Sequence, residues 1–225
     1  MWNEKIYSTF PIPYSLSHIQ GFPMSVRFTK RWFRRKRVIL ASGSPRRKEL
    51  MDLTGLKYQV ISHNVDEKIL SEETPKDHVE RLALEKAINV AANNPDDVVI
   101  GCDTIVILNG RNILGKPQKK KDAKQMLASL AGREHTVLSS VAAVWHRKSK
   151  QRVVTVESRV RMKQLEEWEM NWYIESGEPM DKAGAYAIQG KGAIFIEGIV
   201  GSHTNVIGLP LMETVMLLRS FGVRL

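Results

Sequence analysis

Cysteine is almost missing from this sequence, and no long apolar run is present. The single cysteine, Cys102, excludes an internal disulfide framework and suits a reducing compartment. The longest apolar stretches are interrupted by Asp103, by Glu197 or by glycine, short of the roughly 18 to 20 residues that span a bilayer. Because 43% of the 225 residues are hydrophobic, the sequence predicts a globular protein with its own core and no membrane partner.

Several common chemical signatures are missing as well. The six histidines show no metal-ligand spacing, and neither GxxxxGK[ST] nor GxGxxG occurs. Cys102 has no local histidine partner, so we expect a small buried side chain and not a thiolate nucleophile. The candidates that remain are carboxylates, basic side chains and helix ends.

The net charge of +10 is concentrated at the N-terminus. Residues 1–37 hold eight Lys or Arg against one acid, so the rest of the chain carries only +3. This distribution predicts a basic extension, residues 1–37, and one domain, residues 38–225, without the basic face that a nucleic-acid-binding fold needs.

The extension has several interpretations. It is rich in Arg and Ser and poor in acids, which suits an organellar targeting segment. A flexible tail, a nuclear-localisation-like cluster at RWFRRKR and an artefact of gene-start choice stay open. We expect a cytoplasmic protein, with organelle targeting through the extension as the alternative.

From Arg37 onwards, the pattern is that of an α/β protein. The turn pair Asn109-Gly110 predicts a hairpin, and Thr74-Pro75 predicts the start of a long helix. Strands are expected at RVILAS, YQVIS, VVIGCDTIVIL, RNILGKP, HTVLSSVAAVWH and VVTVESRVRM, and further helices at RRKELMDL, AKQMLASLAG, EEWEMNWYIESG and LPLMETVMLLRSFG.

The segment SGSPRR joins a predicted strand to a helix N-terminus, with Ser44 as the N-cap and Pro45 in the first turn. Free backbone N–H groups and the guanidinium groups of Arg46 and Arg47 suit a phosphate. An ordinary capped helix with two solvated arginines is the equal alternative.

Two charged residues stand where apolar ones are expected. Asp103 lies inside VVIGCDTIVIL, and Lys86 lies at the inward edge of the helix after Thr74. Asp103 is a structural carboxylate, a metal ligand or a general base. Lys86 either extends to solvent along its stem or reaches a negative ligand or a buried carboxylate.

Three further polar residues lie in loops near strands. Glu67 and Lys116 follow predicted strands, where sites on α/β scaffolds collect. Two carboxylates and several cations suit a divalent metal held against a polyphosphate. Gln189 lies among glycines and either contacts a base edge or serves as a turn residue that bonds to backbone.

Seven segments, taken together and in order, are far more specific than any of them alone: SGSPRRKEL, VDEK, RLALEKA, GCDTIV, LGKP, AKQMLASLAGREHTV and DKAGAYAIQGKGAIFIEGIVGSHTNVIGLP. Over about Val38 to Gly222, the sequence resembles the Maf family of nucleoside triphosphate pyrophosphatases. The resemblance implies an α/β fold similar to that of inosine triphosphate pyrophosphatases, with a mixed, curved sheet flanked by helices in two lobes and the active site in the cleft.

The resemblance also implies the chemistry, which is hydrolysis of a nucleoside triphosphate to the monophosphate and pyrophosphate with Mg²⁺, Mn²⁺ or Co²⁺, in a protein that is often a homodimer. It makes Asp103 the proton acceptor and places Glu67, Lys86 and Lys116 at the other catalytic positions. Glu67 and Asp103 would bind the metal. The implied substrate-binding residues are Ser42, Arg46, Arg47, Thr104 and Gln189.

The sequence is most similar to the subfamily that acts on dTTP and UTP, because Arg46, Thr104 and Gln189 match the specificity positions of that subfamily. Modified pyrimidine nucleotides are a further expected substrate class. Ser139 and Cys102 depart from the usual residues without affecting the chemistry. The alternatives are a nucleotide-binding regulator of cell division with little catalysis, and a nucleic-acid-binding module that rests on charge alone.

Overall fold

Seven strands and six α-helices make up residues 36–225, the part of the chain that the computed structural model describes. The strands are β1 (Val38–Ala41), β2 (Tyr58–Val60), β3 (Val98–Leu108), β4 (Asn112–Leu114), β5 (Glu134–Trp145), β6 (Lys150–Met162) and β7 (Ile196–Val200). The helices are α1 (Pro45–Asp52), α2 (Pro75–Ala91), α3 (Lys120–Leu130), α4 (Glu167–Glu175), α5 (His203–Ile207) and α6 (Leu211–Ser220). Short 3₁₀ turns cover His146–Lys148, Glu178–Asp181, Ala183–Ala185 and Gly190–Phe195.

All seven strands form one mixed sheet in the order β2-β1-β3-β5-β6-β7, with β4 beside β3. Strand β1 is parallel to both β2 and β3, whereas the pairings from β3 through β5 and β6 to β7 are antiparallel. The antiparallel β3–β4 hairpin turns at Asn109 and Gly110, which both have positive φ as the sequence predicts.

Helices cover the two faces of the sheet differently. Helix α2 packs on one face through an apolar stripe that is buried along its length, as its 3.6-residue periodicity predicts. The opposite face carries two separate clusters, one with α1 and α6 and the other with α3 and α4. The predicted fold class, α/β with a mixed sheet flanked by helices, is therefore confirmed.

The last two residues of the predicted extension, Lys36 and Arg37, contact residues of the domain. Lys36 lies over the Trp145 ring, 4.5 Å from its centroid, and Arg37 Nε donates to Asp97 Oδ1 over 2.9 Å. The rest of the predicted basic extension, residues 1–35, lies outside the described residues. Among residues 36–225, no helix has both the length and the apolarity to cross a membrane.

Candidate active site

The site is built around a gap in the sheet beside β3. Strand β1 pairs with β3 only as far as Gly101, and β4 begins to pair with the same edge at Val106. Within the described sheet, residues 102–105 therefore have no strand partner on this side. Because successive side chains of a strand point to opposite faces, this open edge lets Asp103 and Thr104 line the same pocket.

A buried lysine joins two carboxylates at this gap. Lys86 Nζ on α2 lies 2.7 Å from Asp103 Oδ1 and 2.6 Å from Glu67 Oε1. The Lys86 side chain is 2% exposed, and its contacts with the two carboxylates offset the cost of burying its charge. The sequence left open whether Lys86 extends to solvent or reaches a negative ligand or a buried carboxylate, and the structure shows contact with a buried carboxylate.

Gly101 explains how α2 comes close enough for this contact. A Cβ atom at Gly101 would overlap the backbone of α2 at Ala83 and Ala87. The glycine therefore lets the helix lie directly on β3, and Lys86, one position before Ala87, then reaches Asp103, two positions after Gly101. The resulting contact is a consequence of close backbone packing.

The loop that carries Glu67, residues 61–74, is fastened to α2 by a second ionic network. Arg81 Nε donates to Glu73 Oε1 over 2.6 Å, and Arg81 Nη2 donates to the carbonyl of Lys68 over 3.0 Å. Hydrogen bonds from Arg81, the largest cause, lower the pKa of Glu73 from 4.5 to about 2. Burial, the largest single effect, raises the pKa of Glu67, but Lys86, with smaller contributions from Lys116 and His63, outweighs burial, so the net shift of the pKa is downwards.

The N-terminus of α1 forms the opposite wall. Ser44 occupies the N-cap position and Pro45 the first turn, as predicted, but no side chain caps the helix. The first backbone N–H groups and the positive end of the helix dipole therefore remain available to an anion. Arg46 Nη1 lies 3.2 Å from Asp181 Oδ2, and both residues line the pocket, so this arginine is paired and not simply solvated.

Arg47 points inwards and holds the open edge of β3. Its Nη1 donates to the carbonyl of Cys102 over 2.8 Å, and its Nε donates to the carbonyl of Gly208 over 2.9 Å. Arg47 also reaches Ser42 Oγ and Thr104 Oγ1, at 3.4 and 3.3 Å. The guanidinium group thus satisfies one strand carbonyl, that of Cys102, in the stretch of β3 that lacks a strand neighbour on this side.

All nine residues singled out from the sequence line this one pocket, which encloses about 470 Å³: Ser42, Arg46, Arg47, Glu67, Lys86, Asp103, Thr104, Lys116 and Gln189. Five lysines and arginines face three carboxylates across the lining, when Lys182 and Asp181 are included. This excess of positive charge favours an anionic ligand, and the volume is typical of small-molecule sites.

Sequence reasoning did not single out His63, Asp181, Lys182 or Tyr186, which also line the pocket. Asp181, Lys182 and Tyr186 lie in the DKAGAY segment of the family resemblance, so that segment was the available signal. His63 has no such signal. Burial, and then Lys86, lower the pKa of His63, and its buried Nδ1 has no hydrogen-bond partner among residues 36–225.

The residues at the gap fit a divalent ion held mainly by its substrate. Asp103 and Glu67 each give one oxygen to Lys86, which leaves one oxygen of each carboxylate for a metal. No group of three or more metal-ligating side chains occurs in the described chain. Such a sparse protein donor set suits Mg²⁺, which usually keeps water and substrate phosphate oxygens as its other ligands.

Comparison with known proteins places this geometry in a family. The model of the Maf-like protein family matches residues 37–221. The chain belongs to this family. It is 48% identical over 187 residues to a dTTP/UTP pyrophosphatase of Syntrophus aciditrophicus (83% of this chain and 91% of that protein) and 47% identical to one of Hahella chejuensis (85% and 95%). A solved HAM1 protein from Coxiella burnetii is 14% identical, with a TM-score of 0.48 over 82% of this chain and 99% of that one.

Proposed function

We propose that this Maf family member hydrolyses dTTP and UTP to the nucleoside monophosphate and pyrophosphate. The observation that carries the proposal is the Lys86–Asp103–Glu67 cluster at an open strand edge, facing the uncapped N-terminus of α1. This chain matches nearly the whole length of relatives that are dTTP/UTP pyrophosphatases, and this similarity supports the same substrates here. Modified pyrimidine triphosphates are a further proposed substrate class.

Asp103 is the proposed proton acceptor. One oxygen is fixed by Lys86, and the other faces the pocket, where one of its two lone-pair sites would take the proton and the other would face the metal. A water molecule that loses its proton to Asp103 attacks the α-phosphorus, the bond from that phosphorus to the α,β-bridging oxygen breaks, and pyrophosphate leaves. Lys86 acts mainly through Asp103, since two of its three N–H donors already contact carboxylates.

The remaining proposed roles concern binding. Lys116 and the α1 N-terminus with Ser42 and Arg46 would contact the phosphates. Arg47 would support the site through Thr104, and Thr104 and Gln189 would select the base. A divalent ion (Mg²⁺, Mn²⁺ or Co²⁺), bound by Glu67 and Asp103, would offset charge on the phosphate oxygens.

The proposal is tested by Asp103→Asn, with Asp97→Asn as the matched control. Asp97 is also a buried carboxylate in an ion pair, with Arg37, but it lies outside the pocket. Asp103→Asn should lower the rate of pyrophosphate release from dTTP and UTP at least about a hundredfold, which is the lower end of the range for the loss of a general base. Asp97→Asn should keep near-normal turnover.

Near-normal turnover in Asp103→Asn would refute the assignment. A pyrophosphate-release screen over canonical and modified triphosphates, with each of the three metals, tests the substrate class, and preference for purine triphosphates would overturn the pyrimidine proposal. Tight dTTP binding without pyrophosphate release would favour a nucleotide-binding regulator. A cytoplasmic homodimer is the proposed context, to be checked by fractionation and light scattering.

A further inference from the structure

The loop that carries Gln189, residues 187–192, is fastened at both ends to one tyrosine–glutamate pair. Tyr173 Oη donates to Glu178 Oε1 over 2.9 Å and accepts from the backbone N–H of Ala187 over 3.2 Å. Glu178 then accepts the backbone N–H groups of Lys191 and Gly192, over 3.0 and 3.2 Å. The pair therefore holds the chain on both sides of Gln189.

Two positions of this loop lie so close to the tyrosine–glutamate pair that only glycine fits there. A Cβ atom at Gly190 would lie 2.7 Å from Glu178 Oε2, and Gly190 also has a φ of +72°. A Cβ atom at Gly192 would lie 2.7 Å from Tyr173 Oη. The sequence Gln-Gly-Lys-Gly thus wraps around a fixed hydroxyl and carboxylate, and any side chain at either glycine would push the loop away.

The pair itself is rigid. Tyr173 is fully buried and packs edge-on against Phe195, with 5.2 Å between ring centroids. Burial, the largest single effect, raises the pKa of Glu178, but the hydrogen bonds from Lys191, Gly192 and Tyr173, together with the charge of Lys182, outweigh burial and lower the pKa. The carboxylate is therefore a charged acceptor at neutral pH, which makes these hydrogen bonds stronger than neutral ones.

Gln189, by contrast, has no fixing contact of its own. Its side chain is exposed at the pocket and makes no hydrogen bond with other residues of the described chain. Its amide can both donate and accept, as recognition of a uracil or thymine edge requires. Where that amide lies is consequently decided by the backbone of the loop.

We propose that Tyr173 and Glu178 are positioning residues that determine base selectivity by fixing Gln189. Neither residue lines the pocket, so both act through the loop and not by touching the nucleotide. The inference rests on the proposed function, in which Gln189 reads the base. It predicts that loosening the pair weakens discrimination between uracil and cytosine while leaving the phosphate chemistry at Asp103 intact.

The test compares kcat/KM for UTP and CTP in wild type, Tyr173→Phe and Glu178→Gln. Tyr173→Phe removes a single oxygen, so it should fold even if Glu178→Gln does not, and circular dichroism melting checks this. We expect the UTP/CTP ratio to fall about five- to tenfold, the effect of one lost hydrogen bond. The change should appear in KM for UTP, with kcat nearly constant.

A double-mutant cycle separates positioning from general loosening. In a Gln189→Ala background, Tyr173→Phe should change the UTP/CTP ratio no further, because the group that it positions is gone. Tyr58→Phe is the matched control, since Tyr58 also donates to a carboxylate, that of Asp52 over 2.6 Å, outside the pocket. It should leave the ratio unchanged.

Binding of UTP and CTP by isothermal titration calorimetry gives the same comparison without turnover. Suppose that the wild type binds UTP selectively but releases no pyrophosphate, and that Tyr173→Phe weakens this selectivity. That result would refute the proposed hydrolysis but support the positioning role. An unchanged ratio in Tyr173→Phe, an equal loss in the Gln189→Ala background, or a wild type that does not distinguish the two nucleotides would overturn the inference.

Discussion

Replacing Lys86 by methionine should destabilise this protein far more than replacing its partner Asp103 by asparagine. Lys86→Met leaves two carboxylates facing each other without a cation, and one of them, Asp103, is buried. Asp103→Asn leaves Lys86 paired with Glu67 at 2.6 Å and keeps a neutral oxygen near the ammonium group. The two losses of stability differ because one cation, Lys86, pairs with two anions.

The magnitudes can be worked from the burial of each contact. Removing one partner of a buried ion pair costs about 3–5 kcal/mol, and we take the lower half of that range because Asp103 borders the pocket. The bond to the half-exposed Glu67 contributes about 1 kcal/mol or less. Lys86→Met should therefore lose about 3–5 kcal/mol. Asp103→Asn should lose about 1–2 kcal/mol, the difference between a charged and a neutral hydrogen bond.

Equilibrium urea unfolding at neutral pH without divalent metal measures both values. Lys124→Met is the matched control, because Lys124 pairs with Glu167 at the same distance, 2.6 Å, but on the surface. It should change stability by no more than about 0.5 kcal/mol. The reasoning is refuted if Lys86→Met loses no more than Lys124→Met, or if Asp103→Asn is as unstable as Lys86→Met.

Two further predictions concern the packing and the loop around the site. Gly101→Ala should cost about 2–3 kcal/mol in urea unfolding and lower turnover, because its methyl group would displace the α2 backbone. Gly115→Ala, with nothing within 4 Å of its Cβ, is the control and should keep wild-type stability. Glu73, with a pKa lowered from 4.5 to about 2 mainly by Arg81, stabilises the fold above pH 4.5, and this contribution should disappear as the pH falls from 4.5 towards 2. In Glu73→Gln, thermal melts should show a flatter pH dependence over that range, and an unchanged slope would contradict the assigned ion pair.

Local patterns were enough to predict most elements of this fold. The 3.6-residue period identified the buried stripe of α2, and the same period marked Lys86 as a charge on the inward side. Alternation and β-branched content identified the long strands, within which Asp103 stood out. These predictions succeeded because each depends on residues a few positions apart, where helix and strand geometry fix the outcome.

The contacts between distant segments could not be predicted in this way. Nothing in the sequence showed that Glu67 meets Lys86, or that Arg47 would bond to the carbonyls of Cys102 and Gly208. The short helix α5 and the 3₁₀ turns were also missed, because segments of three to six residues are too short to show a helical period. From the sequence, only the ordered set of family motifs predicted that these residues share one site.

The gap beside β3 explains why one site needs residues from both faces of the sheet. In a continuous sheet, Asp103 and Thr104 would lie on opposite sides and serve separate surfaces. Here β1 ends at Ala41 and the chain turns into α1, so the missing strand is replaced by a helix N-terminus and by Arg47. The proposed base on the α2 face and the proposed anion-binding groups on the α1 face can then act on one ligand.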